Sequence, residues 1–342
     1  MFFVKKSESS PSTPPASMKS FLKSLRSAYT FYRQCYLDAR RFRNSISARK
    51  LGTKAAVARI ESDIVRQYHV IEKGLTMPDF RPGFGKDIVR GLVRSMRALE
   101  KHPCSGLCND GQLAAARATL REYHERHAAL GHDIREILPD NCRDLWENAT
   151  PGEGGSRPFT PVAPGDADAF ERVVRSRASV RSFDADRTPS RETIMAAVDL
   201  AMRSPSVCNR QTARVHFFTG ADAQRALSFQ SGNRGFGHKI PMVIIVTSDL
   251  RYFTGTAERY QGWIDGGMFS MLLLLALHAQ GLGAVSLNWS VNNERDRELR
   301  NAVGVPEYER IIMLIGCGFS TPDALIPVSS RRRAADVFTW WD

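Results

Sequence analysis

Apolar positions in the first 150 residues recur at intervals of three and four. Phe21, Leu25, Ala28, Tyr32, Cys35, Ala39 and Phe42 fall on one helical face, which predicts a long amphipathic helix over residues 19–48. Tyr29 and Tyr36 flank that face, while Lys19, Lys23, Arg26, Arg33 and Arg40 occupy a different stripe. Val57, Ile60, Ile64, Tyr68 and Ile71 predict a second helix over 54–73. A turn-rich stretch, 74–85, precedes helices near 86–100 and 110–131. No strand pattern precedes residue 150, so this region, 19–149, reads as all-α. Residues 150–165 hold four Gly and four Pro and predict a linker.

Beyond it the pattern changes. Thr188 followed by Pro189 marks the start of a helix that runs to about residue 203. Residues 214–219 alternate as a strand does, and 242–247, 284–288 and 310–316 are short apolar runs of strand length. Helices over 262–280, with Gly281 at its C-cap, and over 293–302 separate them. Residues 166–342 therefore read as α+β, a small mixed sheet sandwiched by helices. The apolar run at 268–279 (MFSMLLLLALHA) is shorter than the roughly 20 residues a membrane span needs. It reads as a buried core helix.

Charge changes this picture once it is located. The chain of 342 residues carries a formal net charge of +12, and residues 1–60 hold 13 Lys and Arg against Glu8 and Asp38. The remainder is close to neutral. A protein that reads nucleic acid through its main domain would concentrate the excess there, so no nucleic-acid partner is expected. Residues 1–18 are polar and Pro-rich and are expected to be disordered. They lack the apolar segment of a secretory signal, and six scattered cysteines give no disulfide framework, so a reducing cytoplasm is the expected compartment. For the basic helical arm, 19–60, two readings stand. One is attachment to an anionic membrane surface; the other is packing of its aromatic stripe on the protein's own dimer, with the basic face in solvent.

Three clusters carry candidate chemistry. Arg177, Ser179 and Arg181 alternate in RASVRSF and point one way if the segment is extended, a donor set suited to phosphate. Pro205, Ser206, Asn209 and Gln211 lie in SPSVCNRQ at a helix end and offer donors and acceptors to a flat heteroaromatic edge. Ser329-Ser-Arg331-Arg332-Arg333 supplies cations near the end of the sequence.

The order of these motifs, followed by an apolar helix into Gly281-Leu-Gly283, then ELRNAVGVPE, then LIGCG, resembles the flavin-dependent nitroreductase family over residues 170–340. The resemblance implies an intertwined homodimer with FMN at its interface. It implies that Arg177 and Ser179 hold the FMN phosphate and ribityl chain, and that Arg181 lies near the flavin ring. Pro205, Ser206, Asn209 and Gln211 would reach the flavin from the partner subunit. Backbone groups of Leu287, Asn288 and Trp289 would face flavin N5. Arg333, or else Arg331, would be the last phosphate ligand, and residues 334–342, ending in Trp340-Trp341-Asp342, would cross to the partner. The implied activity takes hydride from NAD(P)H onto the flavin and passes electrons to a small-molecule acceptor by ping-pong kinetics. The run HVIEKGLTMPDFRPGFG is similar to an extension of nitroreductase-like proteins from bacterial surface-polysaccharide gene clusters. A non-catalytic flavin-binding or scaffold role in envelope polysaccharide assembly is the alternative, and a reductive dehalogenation is disfavoured by the short segment between Gly220 and Asp249.

Other motifs read as structural. Cys104 and Cys108 lie near His102, His124, His127 and His132, but no second CxxC accompanies them, and no metal is expected. His69 and Glu72 form a helix-end pair. His216 and His278 are expected to be satisfied in the core. Gly232–Gly237 (GNRGFG) does not open a helix after a strand and reads as a mobile loop near the flavin.

Overall fold

The computed structural model describes residues 16–46 and 53–341. Most of the tail expected to be disordered lies outside them, as does the predicted end of the first helix. Four helices form the N-terminal region: α1 (Ala16–Ile46), α2 (Thr53–Leu75), α3 (Lys86–Glu100) and α4 (Asp110–Ala129). The α2 stripe packs with Val89, Leu92, Met96 and Leu99 of α3 and Leu120 and Tyr123 of α4 in one core. The Asn109 side chain accepts from the Gln112 N–H at 3.1 Å and caps α4, satisfying a donor that the first turn leaves open.

Residues 150–163 cross from this region without regular structure, but they are tied down. Glu72 and the Thr119 hydroxyl accept from the Gly155 N–H at 3.2 and 3.1 Å, and Glu122 accepts from the Ser156 N–H at 2.6 Å. A Cβ on Gly154 would stand 2.3 Å from the Ala115 carbonyl oxygen, so only glycine permits this approach. The segment read as a linker is thus a strap on the helical region.

The second half comprises α5 (Pro164–Ser176), α6 (Arg191–Ala201), β1 (Ala213–Thr219), α7 (Gly220–Leu227), β2 (Met242–Asp249), α8 (Gln261–Ala279), β3 (Gly283–Asn288), α9 (Asn293–Val303) and β4 (Glu309–Gly318). The helix expected to begin at Thr188 starts at Arg191, because the Ser190 hydroxyl accepts from the Thr193 N–H at 3.2 Å and forms the cap. The strand order is β1-β2-β4-β3, and all named pairs are antiparallel. Its mixed character comes from one parallel bridge, Ser179 to Ala284.

Alternate residues of β2 face opposite sides. Met242, Ile244 and Val246 pack under α6 and α8, and Val243 and Ile245 pack with α7 and α9. Gly266 lets α8 lie close on the sheet, since a Cβ there would meet Ile312 at 2.6 Å. The buried core helix expected from its composition is buried on one side only. Ile264, Met268 and Met271 on its outer side are exposed.

α1 joins the two halves by an unexpected face. Of the stripe Phe21 to Phe42, Phe42 alone is buried, beside Leu250 and Phe253. The docking is otherwise polar. Arg41 pairs with Asp296 at 2.7 Å, and Gln34 bonds to the Asn293 N–H and side chain at 2.8 and 2.7 Å.

Candidate functional site

The strongest candidate site lies where the chain leaves α5 and runs beside the start of β3. Arg177 caps α5 in an extended conformation, its N–H donating to the Val173 carbonyl at 3.1 Å. Val180 then donates to the Ala284 carbonyl at 3.0 Å. Gly283 permits this contact, because a Cβ there would stand 2.9 Å from Val180 Cγ1. The segment after β4 returns to the same place. Ser329 adopts a left-handed conformation (φ +50°), uncommon for a residue with a Cβ, and Arg331 follows it with its guanidinium bonded to the Ser329 carbonyl.

Arg177, Ser179 and Arg331 thereby line one cavity of about 630 Å³, together with Arg175, Ser176 and Ser329. Met271, Ile326 and Val328 form its apolar wall. Among the described residues, no carboxylate lines it. Arg175 is held by Glu171 at 2.5 Å; Arg177 and Arg331 have no ion pair among the described residues. His278 bonds to the Ser176 hydroxyl at 2.8 Å. Burial, with the Arg177 charge beside it, holds its pKa below the ordinary histidine value, so near neutral pH it leaves the cationic character to the arginines. Two guanidiniums without ion pairs and the Ser179 and Ser329 hydroxyls suit a phosphate monoester, whereas the Ser176 hydroxyl already donates to the Arg172 carbonyl at 2.7 Å.

Other sequence candidates lie elsewhere. Arg333 pairs with Asp336 at 3.0 Å in solvent and does not line the cavity. Arg181 is placed 5.9 Å from the Phe236 ring centroid, in the GNRGFG loop. Leu287 is buried among the sheet residues, and the Asn288 carbonyl accepts from Gln230 at 2.9 Å. Trp289 is buried and donates to Asp296 at 2.9 Å.

The loop with Pro205, Ser206, Asn209 and Gln211 follows α6. Pro205 is exposed. The Ser206 hydroxyl accepts from the Gln211 N–H at 2.9 Å, and the Gln211 amide reaches Asn209 Oδ1 at 3.2 Å. Cys208, Asn209 and Gln211 all have positive φ (49°, 54° and 49°), a concentration of backbone strain typical of a loop shaped for a ligand. The sequence reading missed what holds it. Asp265, a lone carboxylate inside the apolar helix α8, accepts from the Val207 N–H at 3.2 Å, and burial raises its pKa. Asn209 donates to the Tyr68 hydroxyl of α2 at 3.4 Å. The helical region therefore touches this loop. An acid in an apolar run was the available signal for Asp265; nothing in the α2 stripe set Tyr68 apart.

Comparison with known proteins gives this arrangement a fold. A model described as the nitroreductase family matches residues 174–228 and 221–319. Residues 174–319 thus have a nitroreductase-like fold. An Archaeoglobus fulgidus protein named for NADH dehydrogenase and NAD(P)H nitroreductase activity is 28% identical over 152 residues, which is 43% of this chain and 83% of that protein. A solved nitroreductase-type structure from Desulfovibrio desulfuricans, in complex with FMN, is 19% identical and covers 53% of this chain and 99% of its own, with a TM-score of 0.44. A nitroreductase-like protein of Streptococcus mutans is 16% identical over 52% of this chain and all of its own, with a TM-score of 0.45.

Around the nitroreductase-like domain, the remaining motifs have structural partners. His216 bonds to Glu309 at 2.6 Å. His124 stacks on Trp146, His127 accepts from the Gly83 N–H at 2.9 Å, and the His102 ring accepts from the Cys104 N–H. Among the described residues, no three His, Cys, Asp or Glu side chains gather as metal ligands. His69 lies 3.2 Å from Glu72, which in turn holds the strap. The GNRGFG loop is pinned at its start and its end, where Gly232 donates to Gln230 and Gln224 donates to the Gly237 carbonyl.

Proposed function

We propose that this protein is an NAD(P)H-dependent oxidoreductase that uses FMN and reduces a small-molecule acceptor. One observation carries the reading. Arg177, Ser179 and Arg331, more than 150 residues apart at the extremes, line one cavity free of carboxylates. That donor set fits the phosphate of FMN, which when bound supplies the hydride-accepting chemistry.

The chain's own residues bind and orient. Arg177 and Arg331 supply the charge, and the Ser179 hydroxyl supplies a bond in the direction of the ribityl chain. Arg181 is the basic side chain available to the ring, with Leu287, Asn288 and Trp289 as the nearby backbone. The strained loop Pro205, Ser206, Asn209 and Gln211 serves the ring of a second subunit. A homodimer is favoured by the exposed outer side of α8 and by the exposed Phe338, Trp340 and Trp341. An all-helical region, 19–149, precedes the flavin domain, 166–342. The similarity of its residues 69–85 to an extension found in surface-polysaccharide clusters supports a setting in envelope polysaccharide synthesis.

The test is to purify the protein, quantify bound flavin and titrate it anaerobically with NADH and NADPH. The expected result is a yellow protein with FMN bound, bleached by at least one nucleotide, with parallel double-reciprocal lines at turnover. Arg177→Ala removes a charge-assisted bond and weakens FMN by about 10- to 100-fold. Colourless protein that takes up no added FMN overturns the reading. FMN bound without nucleotide oxidation would favour the non-catalytic role.

A further inference from the structure

The arm α1 divides in two. Its C-terminal part is docked through Gln34, Asp38, Arg41, Phe42 and Ser45, all buried or half-buried. Residues 20–33 are exposed without interruption. Phe21, Leu22, Leu25, Tyr29, Tyr32 and Tyr36 are each more than half exposed, Tyr29 and Tyr32 at 69%.

Geometry shows that the body of the same chain does not cover them. A helix advances about 100° per residue. On that wheel the six apolar residues centre roughly 160° from the docked set, on the opposite side of the helix. Lys23, Arg26 and Arg40 form a row roughly 90° from the apolar stripe, along one flank, and Arg33 in the same row is paired with Glu294 of α9 at 2.6 Å. No acidic residue occurs between 16 and 37. The row continues into a groove beside α9, where Arg40 and Arg297 have no ion pair among the described residues.

We propose that residues 18–36 of α1 form an interfacial helix that binds the surface of an anionic phospholipid bilayer. The stripe enters the boundary of headgroups and acyl chains while the basic row meets lipid phosphates, the arrangement of a peripheral amphipathic helix. Tyrosine suits that depth, since its ring is apolar and its hydroxyl stays in water. Self-pairing of two such helices fits poorly. It would bury three tyrosine hydroxyls per helix and bring two acid-free basic rows together, where helix pairs rely on opposite charges at the seam. The inference does not depend on the flavin reading.

The experiment uses the full chain in vesicle flotation. Phosphatidylcholine vesicles containing about one third phosphatidylglycerol are compared with pure phosphatidylcholine, at about 0.1 M and 0.5 M salt. Binding is expected on the anionic vesicles at low salt, with loss on neutral vesicles and at high salt. Each basic residue near such a surface strengthens binding roughly fivefold. Lys23→Glu with Arg26→Glu should therefore weaken binding about 25-fold or more. Tyr29→Ser with Tyr32→Ser should weaken it as well. Unchanged far-ultraviolet dichroism in both variants shows that they fold. No flotation on anionic vesicles overturns the proposal, as does flotation that neither variant reduces. If the tyrosine variant instead dissociates an oligomer and no vesicles bind, the stripe belongs to a second copy and the proposal fails.

Discussion

Two clusters of arginines show how one residue type serves two purposes in this chain. At the seam between α1 and α9, Arg41 and Arg300 converge on Asp296 at 2.7 and 2.6 Å, and Trp289 donates to the same carboxylate. One carboxylate answers both guanidiniums, and the three groups are largely removed from water. At the cavity beside α5, Arg177 and Arg331 are placed with hydroxyls and no acid. The first arrangement holds two parts of the chain together. The second lines a cavity, with neither guanidinium in an ion pair among the described residues. The difference is in the carboxylate, since the guanidinium chemistry is the same.

The comparison can be broken most forcefully at Asp296. Asp296→Ala leaves Arg41 and Arg300 without their carboxylate in a buried site, and such losses cost about 3–5 kcal/mol. Denaturant unfolding should show it, and a change under about 1 kcal/mol would mean that the seam is wetter than its burial indicates. The next effect is a contrast at the cavity. Arg331→Ala should weaken FMN by about tenfold or more, whereas Arg333→Ala, already paired with Asp336, should change it by less than about twofold. The reverse ranking by fluorescence titration would reassign the phosphate ligand.

A pH titration sharpens the seam further. The hydrogen bond and charge of Arg300, with Arg41 and Trp289 beside them, outweigh burial and hold the Asp296 pKa below 3.8. A carboxylate with a lowered folded pKa contributes stability that is present above its unfolded value and is lost as pH falls through the folded one. Wild-type stability should decline below about pH 4, and Asp296→Asn should flatten that limb. The smallest effect belongs to Arg175. It lines the cavity but is paired with Glu171 at the surface, so Arg175→Gln should shift stability by less than about 0.5 kcal/mol.

These contrasts mark where the sequence was readable. Apolar periodicity locates the four strands and every α-helix but α5 and α7 to within a few residues. RASVRSF and the terminal arginines were legible as candidate phosphate ligands, though each taken alone reads more readily as a solvated basic segment. Their register was not. Ser329 turns the backbone through a left-handed conformation, and that turn, invisible in a run of polar residues, puts Arg331 rather than Arg333 at the cavity. The docking of α1 was misleading for a related reason. Its apolar stripe is the face with the strongest pattern, yet the seam is built from Gln34, Arg41 and Asp38, which carry no periodic signal. Tyr68 was read only as core, and its contact with Asn209 comes from tertiary packing.

The departures into positive φ at Cys208, Asn209 and Gln211, interrupted by Arg210, have a consequence for how this chain changes over generations. Cys208 and Gln211 occupy a conformation that glycine adopts at lower cost. Selection for heat resistance alone would push both positions toward glycine. Glycine at position 211 would also remove the amide bond from Gln211 to Asn209, so the gain in backbone freedom there comes with the loss of a contact inside the loop.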